Sequence, residues 1–193
     1  MYQAWLMQFP RTFLVGCWFV ISTLSASAQT PPVAPLPPVA TIAELNVARY
    51  MGTWYEIAKF PNRFQVSCAA NTRAQYTAQA DGSVQVLNSC VTAEGQTLDA
   101  LGVAKQIGPA TSAKLQVRFA PVWLSLLPMV WGDYWVIDLD TDYQLAAVSD
   151  AKREYLWVLS RSPHVSHASY DALLARLKAQ HFDVQKLVLT PQP

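Results

Sequence analysis

Eight short strand-like segments follow one another along the chain, and they constrain its fold more than any other feature. They are "TWYEIAKF", "NTRAQYTA", "SVQVLNSC", "TLDALGVAKQI", "AKLQVRFAP", "DYWVIDLD", "YQLAAVSD" and "YLWVLSRSP". Turn sequences such as Asp81-Gly82, Glu94-Gly95 and Gly108-Pro109 separate them, and regular spacing of this kind is typical of an all-β sandwich or barrel. We therefore predict an eight-stranded antiparallel up-and-down barrel, because closure removes the open edges of the sheet.

A helix and a ninth strand are predicted after the barrel. Tyr170, Leu173, Leu174 and Leu177 fall at helical spacing and form one apolar stripe, and Ser166 precedes them as an N-cap. We expect a helix over 166–180 that packs this stripe on the outer wall. The segment "QKLVLT" then predicts a short last strand.

The N-terminal part has the order of a secretory signal. Arg11 is the only charged residue before Glu44; the apolar run "FLVGCWFVISTL" and an Ala-x-Ala site at 26–28 follow it. We predict a signal peptide over 1–28, a Pro-rich linker over 29–43 and a folded domain over 44–193 of an exported protein of the periplasm or cell envelope. "LVGC" resembles a lipobox, so lipidation of Cys17, with association with the outer membrane, and its removal with the signal both stay open.

In an exported protein, Cys68 and Cys90 are candidates for a disulfide bond. These two cysteines remain after a signal is removed, and disulfides persist outside the cytoplasm. An even pair without metal-ligand companions nearby indicates a disulfide. We predict that they join the start of strand two to the end of strand three.

Composition and motifs argue against several function classes. A net charge of +1 with 14% charged residues gives no basic footprint for nucleic acid. The chain has no G-x-S-x-G and no H-E-x-x-H motif, so we expect no enzyme, no catalytic residue and no cofactor. His164 and His167 have no third ligand near them in the sequence, so we expect no metal site.

Three motifs give the chain a resemblance to the lipocalins over about residues 44–190. Gly52-Thr53-Trp54 opens the first strand, Thr141-Asp142-Tyr143 lies between the sixth and seventh, and Arg161 closes the eighth. The sequence around them is most similar to bacterial lipocalins and apolipoprotein D. The resemblance implies a barrel that holds one small ligand, with Trp54 plugging one end and Arg161 packed over it in a structural role.

The resemblance places ligand binding at the opposite, open end, where the loop "APVWLSLLPMVWGD" joins strands five and six. Its residues 122–131 carry no charge, which is typical of an interaction site, and tryptophan beside aliphatic residues suits a membrane interface. We expect Trp123, Leu126, Leu127 and Trp131 to contact lipid or a partner. The alternative is that these side chains fill the calyx.

Alternation along the strands predicts the residues that line the cavity. The candidates are Ala58 and Phe60 in strand one, Val117 and Phe119 in strand five, and Trp135 in strand six. In strand six, however, the sequence does not decide whether Trp135 or the neighbouring Tyr134 and Val136 point into the cavity.

Glu56 shares the face of Trp54 and, as a buried carboxylate, needs a partner. A first hairpin folded about residues 64 and 65 would place it opposite Arg73. The two interpretations are a cross-strand ion pair and a polar anchor for a ligand headgroup.

These features together predict binding and transport or storage of small hydrophobic ligands, most simply fatty acids or lysophospholipids, in a calyx that contacts the membrane surface. The alternatives are an envelope interaction module that uses the 122–131 loop, or a lipid-processing enzyme. An integral outer-membrane barrel has the right strand count but does not explain the helix and ninth strand. Homodimerisation stays open.

Overall fold

The computed structural model describes residues 35–121, 124, 125 and 127–193. The predicted signal peptide, Cys17, residues 29–34 of the predicted linker, Trp123 and Leu126 lie outside the described residues. None of the helices in the described part is long and apolar enough to cross a membrane.

Nine strands and two α-helices make up this part of the chain. The strands are β1 (Gly52–Lys59), β2 (Ala70–Ala78), β3 (Val84–Val91), β4 (Thr97–Gln106), β5 (Lys114–Arg118), β6 (Gly132–Leu139), β7 (Leu145–Ser149), β8 (Leu156–Ser160) and β9 (Val188–Leu189). The helices are α1 (Val47–Tyr50) and α2 (His167–Ala179). Two 3-10 turns, Pro128–Val130 and Val184–Lys186, precede β6 and β9.

The sheet closes as the sequence predicts. Each of β1 to β7 pairs antiparallel with the next strand, and β8 returns to pair with β1. β9 adds to the far half of β1, where Ala58 pairs with Leu189 and Lys59 with Val188. The eight-stranded antiparallel barrel with a ninth strand is therefore confirmed.

Helix α2 lies on the outer wall and buries the predicted stripe. Ser166 caps it by accepting a hydrogen bond from the Ser169 N–H, and Leu173 and Leu177 are fully buried. Arg176 donates two hydrogen bonds, at 2.7 and 2.9 Å, to Asp138 of β6. The position predicted for this helix is confirmed; α1, a single turn without an apolar repeat, was not predicted.

The segment before α1 also packs on the barrel. Val39 is buried in the cluster beneath α2, and the Ile42 N–H donates to the Val136 carbonyl at 3.0 Å. Leu45 is buried in the interior cluster. Packing on the barrel therefore begins within the C-terminal part of the predicted 29–43 linker.

A β-bulge in β1 changes which residues of this strand face the interior. Glu56 pairs with Leu159 but Ala58 pairs with Val158, so Ile57 is an extra residue that resets the alternation. Glu56 faces inward by regular alternation with Trp54, and the bulge turns Lys59 inward as well. Ala58 and Phe60 pack outward in the cluster beneath α2, so the prediction that they line the cavity is wrong.

Strand β6 also has a bulge, between Val136 and Asp138, and the residues before it alternate regularly. Tyr134 and Val136 belong to the interior cluster, whereas Trp135 packs with the outer one. The Lys114 Nζ lies 4.2 Å from the centre of the Trp135 ring on that outer face. The expectation that Trp135 lines the calyx is therefore wrong, and the open question of the inward face of strand six is answered.

Cys68 and Cys90 form the predicted disulfide, with their Cα atoms 5.5 Å apart. Strand β2 has a bulge between Ala70 and Arg73, next to the β1–β2 loop that carries Cys68, and Cys90 lies near the end of β3. The bond ties the β1–β2 loop to the barrel, and the disulfide prediction is confirmed.

We expect the Cys68→Ala/Cys90→Ala double variant to lose about 3 kcal/mol of unfolding free energy, because the bond closes a loop of 22 residues. Urea unfolding of the oxidised wild type and the variant measures the difference. Reduced wild type is the control and should match the variant. Equal midpoints for oxidised and reduced wild type would contradict the prediction.

Candidate functional site

The inward side chains of the barrel form one apolar cluster. Its buried members on the strands are Trp54, Ala74, Tyr76, Val84, Val86, Ala104, Leu115, Val136, Ala146, Val148 and Leu159. Val117, Tyr134 and Trp157 pack against this cluster but keep part of their surface exposed. All three side chains lie on the inner face of the barrel, and Val117 is on the face of β5 that alternation predicts.

One end of the barrel is closed around Trp54, which is fully buried. The Arg161 guanidinium carbon lies 4.1 Å from the centre of the indole, and Arg161 donates to the carbonyls of Thr53 and Arg49 at 2.9 and 2.8 Å. The Trp54 Nε1–H donates to the Tyr50 carbonyl at 2.9 Å. Helix α1 and strand β1 are thereby locked together beneath the barrel.

The other predicted closed-end residues meet at the same place. The Arg49 guanidinium donates to the Thr141 carbonyl at 3.0 Å and lies 4.0 Å from the centre of the Tyr143 ring. Asp142 is exposed in this turn. Gly52 has φ +97°, and a Cβ there would lie 3.2 Å from an Arg161 nitrogen, so glycine suits both the conformation and the close approach.

Three tyrosines form a hydrogen-bonded floor above Trp54. The Tyr134 hydroxyl is 3.0 Å from that of Tyr50 and 2.9 Å from that of Tyr76. Burial raises the pKa of Tyr50 and Tyr134 well above the usual range, and it raises the pKa of Tyr76 from 10.0 to about 12. All three phenols therefore stay protonated at neutral pH and satisfy one another without a charge.

The opposite end is open, as the inward residues of β4 show. Ala104 is only 4% exposed, whereas Ala100 and Leu98, nearer the other end, are exposed, Leu98 at 41%. Phe119 lies over Gly102 on this inner face, since a Cβ on Gly102 would come within 2.7 Å of its ring. Phe119 itself is 44% exposed, so it lines the entrance to the calyx.

A polar network lies on the inner wall between floor and mouth. Glu56 is 3% exposed and accepts hydrogen bonds from the Lys59 Nζ at 2.9 Å, the Gln65 Nε2 at 2.6 Å and the Thr190 hydroxyl at 2.6 Å. The Trp157 Nε1–H donates to the other end of the Gln65 amide at 3.0 Å. Glu56 is thus a buried carboxylate with three donors.

The expected pairing of Glu56 with Arg73 is wrong. Tyr55, not Glu56, is the cross-strand partner of Arg73, and Arg73 is exposed on the outer face. The hairpin register differs by one residue from the predicted one, and in a strand that difference moves a side chain to the opposite face. Arg73 therefore does not line the calyx.

Exposed apolar side chains surround the mouth. They are Phe64 and Val66 in the β1–β2 loop, Leu98 at the start of β4, and Phe119, Leu127 and Met129 between β5 and β6. We call these six residues the apolar rim. Leu127, which we predicted to contact lipid or a partner, is 43% exposed on this rim, and Met129 reaches 85%.

Trp131, the last predicted mouth residue, packs on the outer wall instead of pointing into the calyx. Its ring centre lies 4.3 Å from the Lys105 Nζ and 5.3 Å from the Arg118 guanidinium carbon. Its Nε1–H donates to the Ser125 carbonyl at 2.9 Å. Trp131 therefore anchors the β5–β6 loop to β4 and β5.

Sequence reasoning missed the most polar parts of the calyx. Lys59 was missed because simple alternation places it outside, and only the bulge turns it inward. Gln65 and Thr190 come from a loop and a tail, where no periodic pattern identifies a facing side chain.

No group of three or more His, Cys, Asp or Glu side chains that could hold a metal occurs among the described residues.

Comparison with known proteins agrees with this geometry. Residues 45–192 match the family model described as a lipocalin-like domain. The chain belongs to the lipocalin family. Family membership makes it a binding protein for small hydrophobic ligands and not an enzyme.

Individual relatives place the chain within the family. It is 43% identical to temperature-induced lipocalin-1 of Arabidopsis thaliana over 77% of this chain and 80% of that protein. It is 36% identical to outer membrane lipoprotein Blc of Escherichia coli K12, over 88% and 90% of the two chains. Mouse apolipoprotein D is 30% identical over 82% of each. The predicted likeness to bacterial lipocalins and apolipoprotein D is confirmed.

A solved structure supports the fold independently. The cockroach allergen Per a 4 superposes with a TM-score of 0.61, covering 80% of this chain and 94% of that one, at 19% identity. At this level of identity, the likeness shows the common barrel architecture alone.

The tyrosine floor of this lipocalin should make its stability sensitive to alkali. Unfolded tyrosines ionise near pH 10, whereas Tyr50, Tyr76 and Tyr134 keep their protons in the folded state. The free energy of unfolding should therefore be constant below about pH 10 and fall as the pH rises toward 12. Urea unfolding between pH 8 and 12 measures the slope.

Tyr134→Phe should make this slope shallower, because one phenol with a raised pKa is removed. Tyr55→Phe, on the outer face of β1, is the matched control and should keep the wild-type slope. A wild-type stability that stays constant through pH 12 would contradict the prediction.

Proposed function

We propose that the calyx carries a fatty acid or a lysophospholipid within the cell envelope and exchanges it with the membrane surface. The observation that carries this proposal is an apolar interior, closed around Trp54, that opens through an apolar rim. An acyl chain entering such a space gains about 0.8 kcal/mol for each methylene removed from water. Its polar headgroup remains near the mouth, where it keeps hydrogen-bond partners.

The proposed location rests on sequence and relationship. The N-terminal 28 residues have the order of a signal peptide, and a relative 36% identical to this chain is named an outer membrane lipoprotein. A lipid-modified Cys17 would tether the barrel through the Pro-rich segment, whereas cleavage at 28 would release it. Either form works at the envelope.

Blocking the calyx tests the carrier role directly. Ala100 faces inward and is exposed, whereas its neighbour Leu101 faces outward at 60% exposure. We expect Ala100→Trp to weaken binding of a fluorescent fatty acid, 11-(dansylamino)undecanoic acid, at least tenfold, because an indole occupies the path of the chain. Leu101→Trp is the matched control and should bind like wild type.

The measurement is saturation of probe fluorescence by delipidated protein, followed by displacement with unlabelled fatty acid. Equal affinities for the two tryptophan variants would show that the probe binds outside the calyx. No binding to wild type would contradict the carrier role and would favour an interaction module at the apolar rim.

Membrane exchange is tested separately at the rim. Leu127→Ser/Met129→Ser removes two exposed apolar side chains of the β5–β6 loop. We expect at least a threefold slower transfer of the bound probe to phospholipid vesicles, since apolar side chains at the mouth would contact the bilayer interface. The equilibrium affinity should stay within twofold of wild type.

Leu101→Ser/Ile107→Ser is the matched control, because these side chains are also exposed, at 60% and 41%, but Leu101 faces the outer wall and Ile107 lies in the β4–β5 loop at the closed end. It should transfer the probe at the wild-type rate. A rim variant that transfers as fast as this control would remove the membrane role and leave the binding role intact.

A further inference from the structure

In the polar network of the calyx, the Glu56 carboxylate has several hydrogen-bond partners, whereas the Lys59 ammonium has few. Glu56 has two carboxylate oxygens, and they accept three hydrogen bonds, from Lys59, Gln65 and Thr190. The Lys59 ammonium has three N–H donors, and within the described residues it makes one hydrogen bond, to Glu56. The carboxylate thus has three of its roughly four acceptor sites filled, whereas the ammonium uses one of its three donors and has two left for a further acceptor.

Lys59 is placed where a ligand can supply that acceptor. It pairs with Trp157 of β8, whose ring packs against the interior cluster, and with Val188 of β9. The Lys59 side chain is 14% exposed, near the mouth end of β1. Toward Trp54, the calyx wall carries Glu56 on β1 and apolar side chains such as Val86 and Leu115 on the other strands, so a chain bound against these apolar side chains would bring its polar end to this ammonium.

Lys59 is also held in position before a ligand arrives. Glu56 fixes the ammonium, and Glu56 is itself fixed by Gln65 from the first mouth loop and by Thr190 from the C-terminal tail. In a regular strand, residues three apart face opposite sides. The bulge at Ile57 places both side chains on the inner face, so the strand is shaped to present a lysine inside the barrel.

We propose that Lys59 binds the anionic headgroup of the amphiphile in the calyx, a carboxylate or a phosphate. The proposal rests on the proposed carrier function and adds to it the chemistry by which the ligand is chosen. Charge-assisted hydrogen bonds from an ammonium to either anion are stronger than neutral ones. Glu56, a carboxylate that has no donor for an anion, is a positioning residue and not the anchor.

Three amphiphiles with the same twelve-carbon chain test the headgroup: dodecanoate, dodecyl phosphate and 1-dodecanol. Each displaces 11-(dansylamino)undecanoic acid from delipidated full-length protein, and the affinity of the variant for the probe is measured first. We expect Lys59→Met to weaken the two anions about tenfold, which corresponds to about 1.4 kcal/mol. The affinity for 1-dodecanol should stay within twofold of wild type.

Two further variants separate the role of the charge from effects on folding. Lys59→Met leaves Glu56 without its cation, so Glu56→Gln/Lys59→Met provides an uncharged network that should show the same selective loss. Lys59→Arg retains the charge and should keep the preference for anions. Lys178→Met, exposed on α2, is the matched surface control and should bind all three amphiphiles like wild type.

Each outcome decides between distinct conclusions. A selective loss of dodecanoate alone, or of dodecyl phosphate alone, identifies which anion the site takes. An equal loss of all three amphiphiles, or no loss of any, in both the Met variant and the double variant overturns the role of Lys59. Failure of wild type to bind any of the three, 1-dodecanol included, overturns the carrier function and the headgroup site together.

Discussion

The bulge at Ile57 is the constraint on which the two faces of the barrel wall depend. Strand β1 contributes to the calyx through Trp54 and Glu56, and to the helix-covered outer face through Ala58 and, directly after the strand, Phe60. Strict alternation would place all four on one side. Because of the extra residue, the buried side chains in the first half of the strand point into the barrel, and those in the second half point toward the outer cluster. The same change of face brings Lys59 inside.

The barrel wall continues beyond the β1–β2 ladder through the C-terminal tail. Direct pairing of these strands ends at Tyr55 and Arg73. Beyond that point the C-terminal tail lies between them: the Thr190 N–H donates to the Ile57 carbonyl at 3.0 Å, and the Asn71 N–H donates to the Pro191 carbonyl at 2.8 Å. Gln192 donates to the carbonyls of both Glu56 and Thr72. The tail is therefore a structural part of the mouth, which is why a residue as distant in sequence as Thr190 reaches the polar network.

Much of the fold follows from the sequence, because strand and helix repeats are local and strongly patterned. The eight-strand order, the Ser166 cap and the Leu173–Leu177 stripe required no tertiary information. The candidate site was less predictable. Ala58 and Phe60 were misplaced by the bulge in β1, which shifts alternation without a composition signal. Trp135 was misplaced because the sequence does not decide which face of strand six points inward. Arg73 was misplaced by a one-residue error in hairpin register, and Lys59 and Thr190 could be found only once the strands had been paired.

The two ends of the calyx differ in how many of their polar groups have hydrogen-bond partners within the protein. This difference indicates which end stabilises the fold and which end is suited to bind a ligand. At the closed end, Arg161 donates hydrogen bonds to backbone carbonyls, and the tyrosine hydroxyls form hydrogen bonds with one another. These groups therefore have few hydrogen-bonding sites left for a ligand. At the mouth, large apolar side chains remain in solvent and an inward ammonium has a single protein acceptor among the described residues. Exposed apolar surface and unused donors lower the stability of a free protein and are retained where a partner can cover them. The recognisable lipocalin motifs therefore specify the barrel, while the residues that would choose its ligand lie in the mouth loop, the bulged strand and the tail.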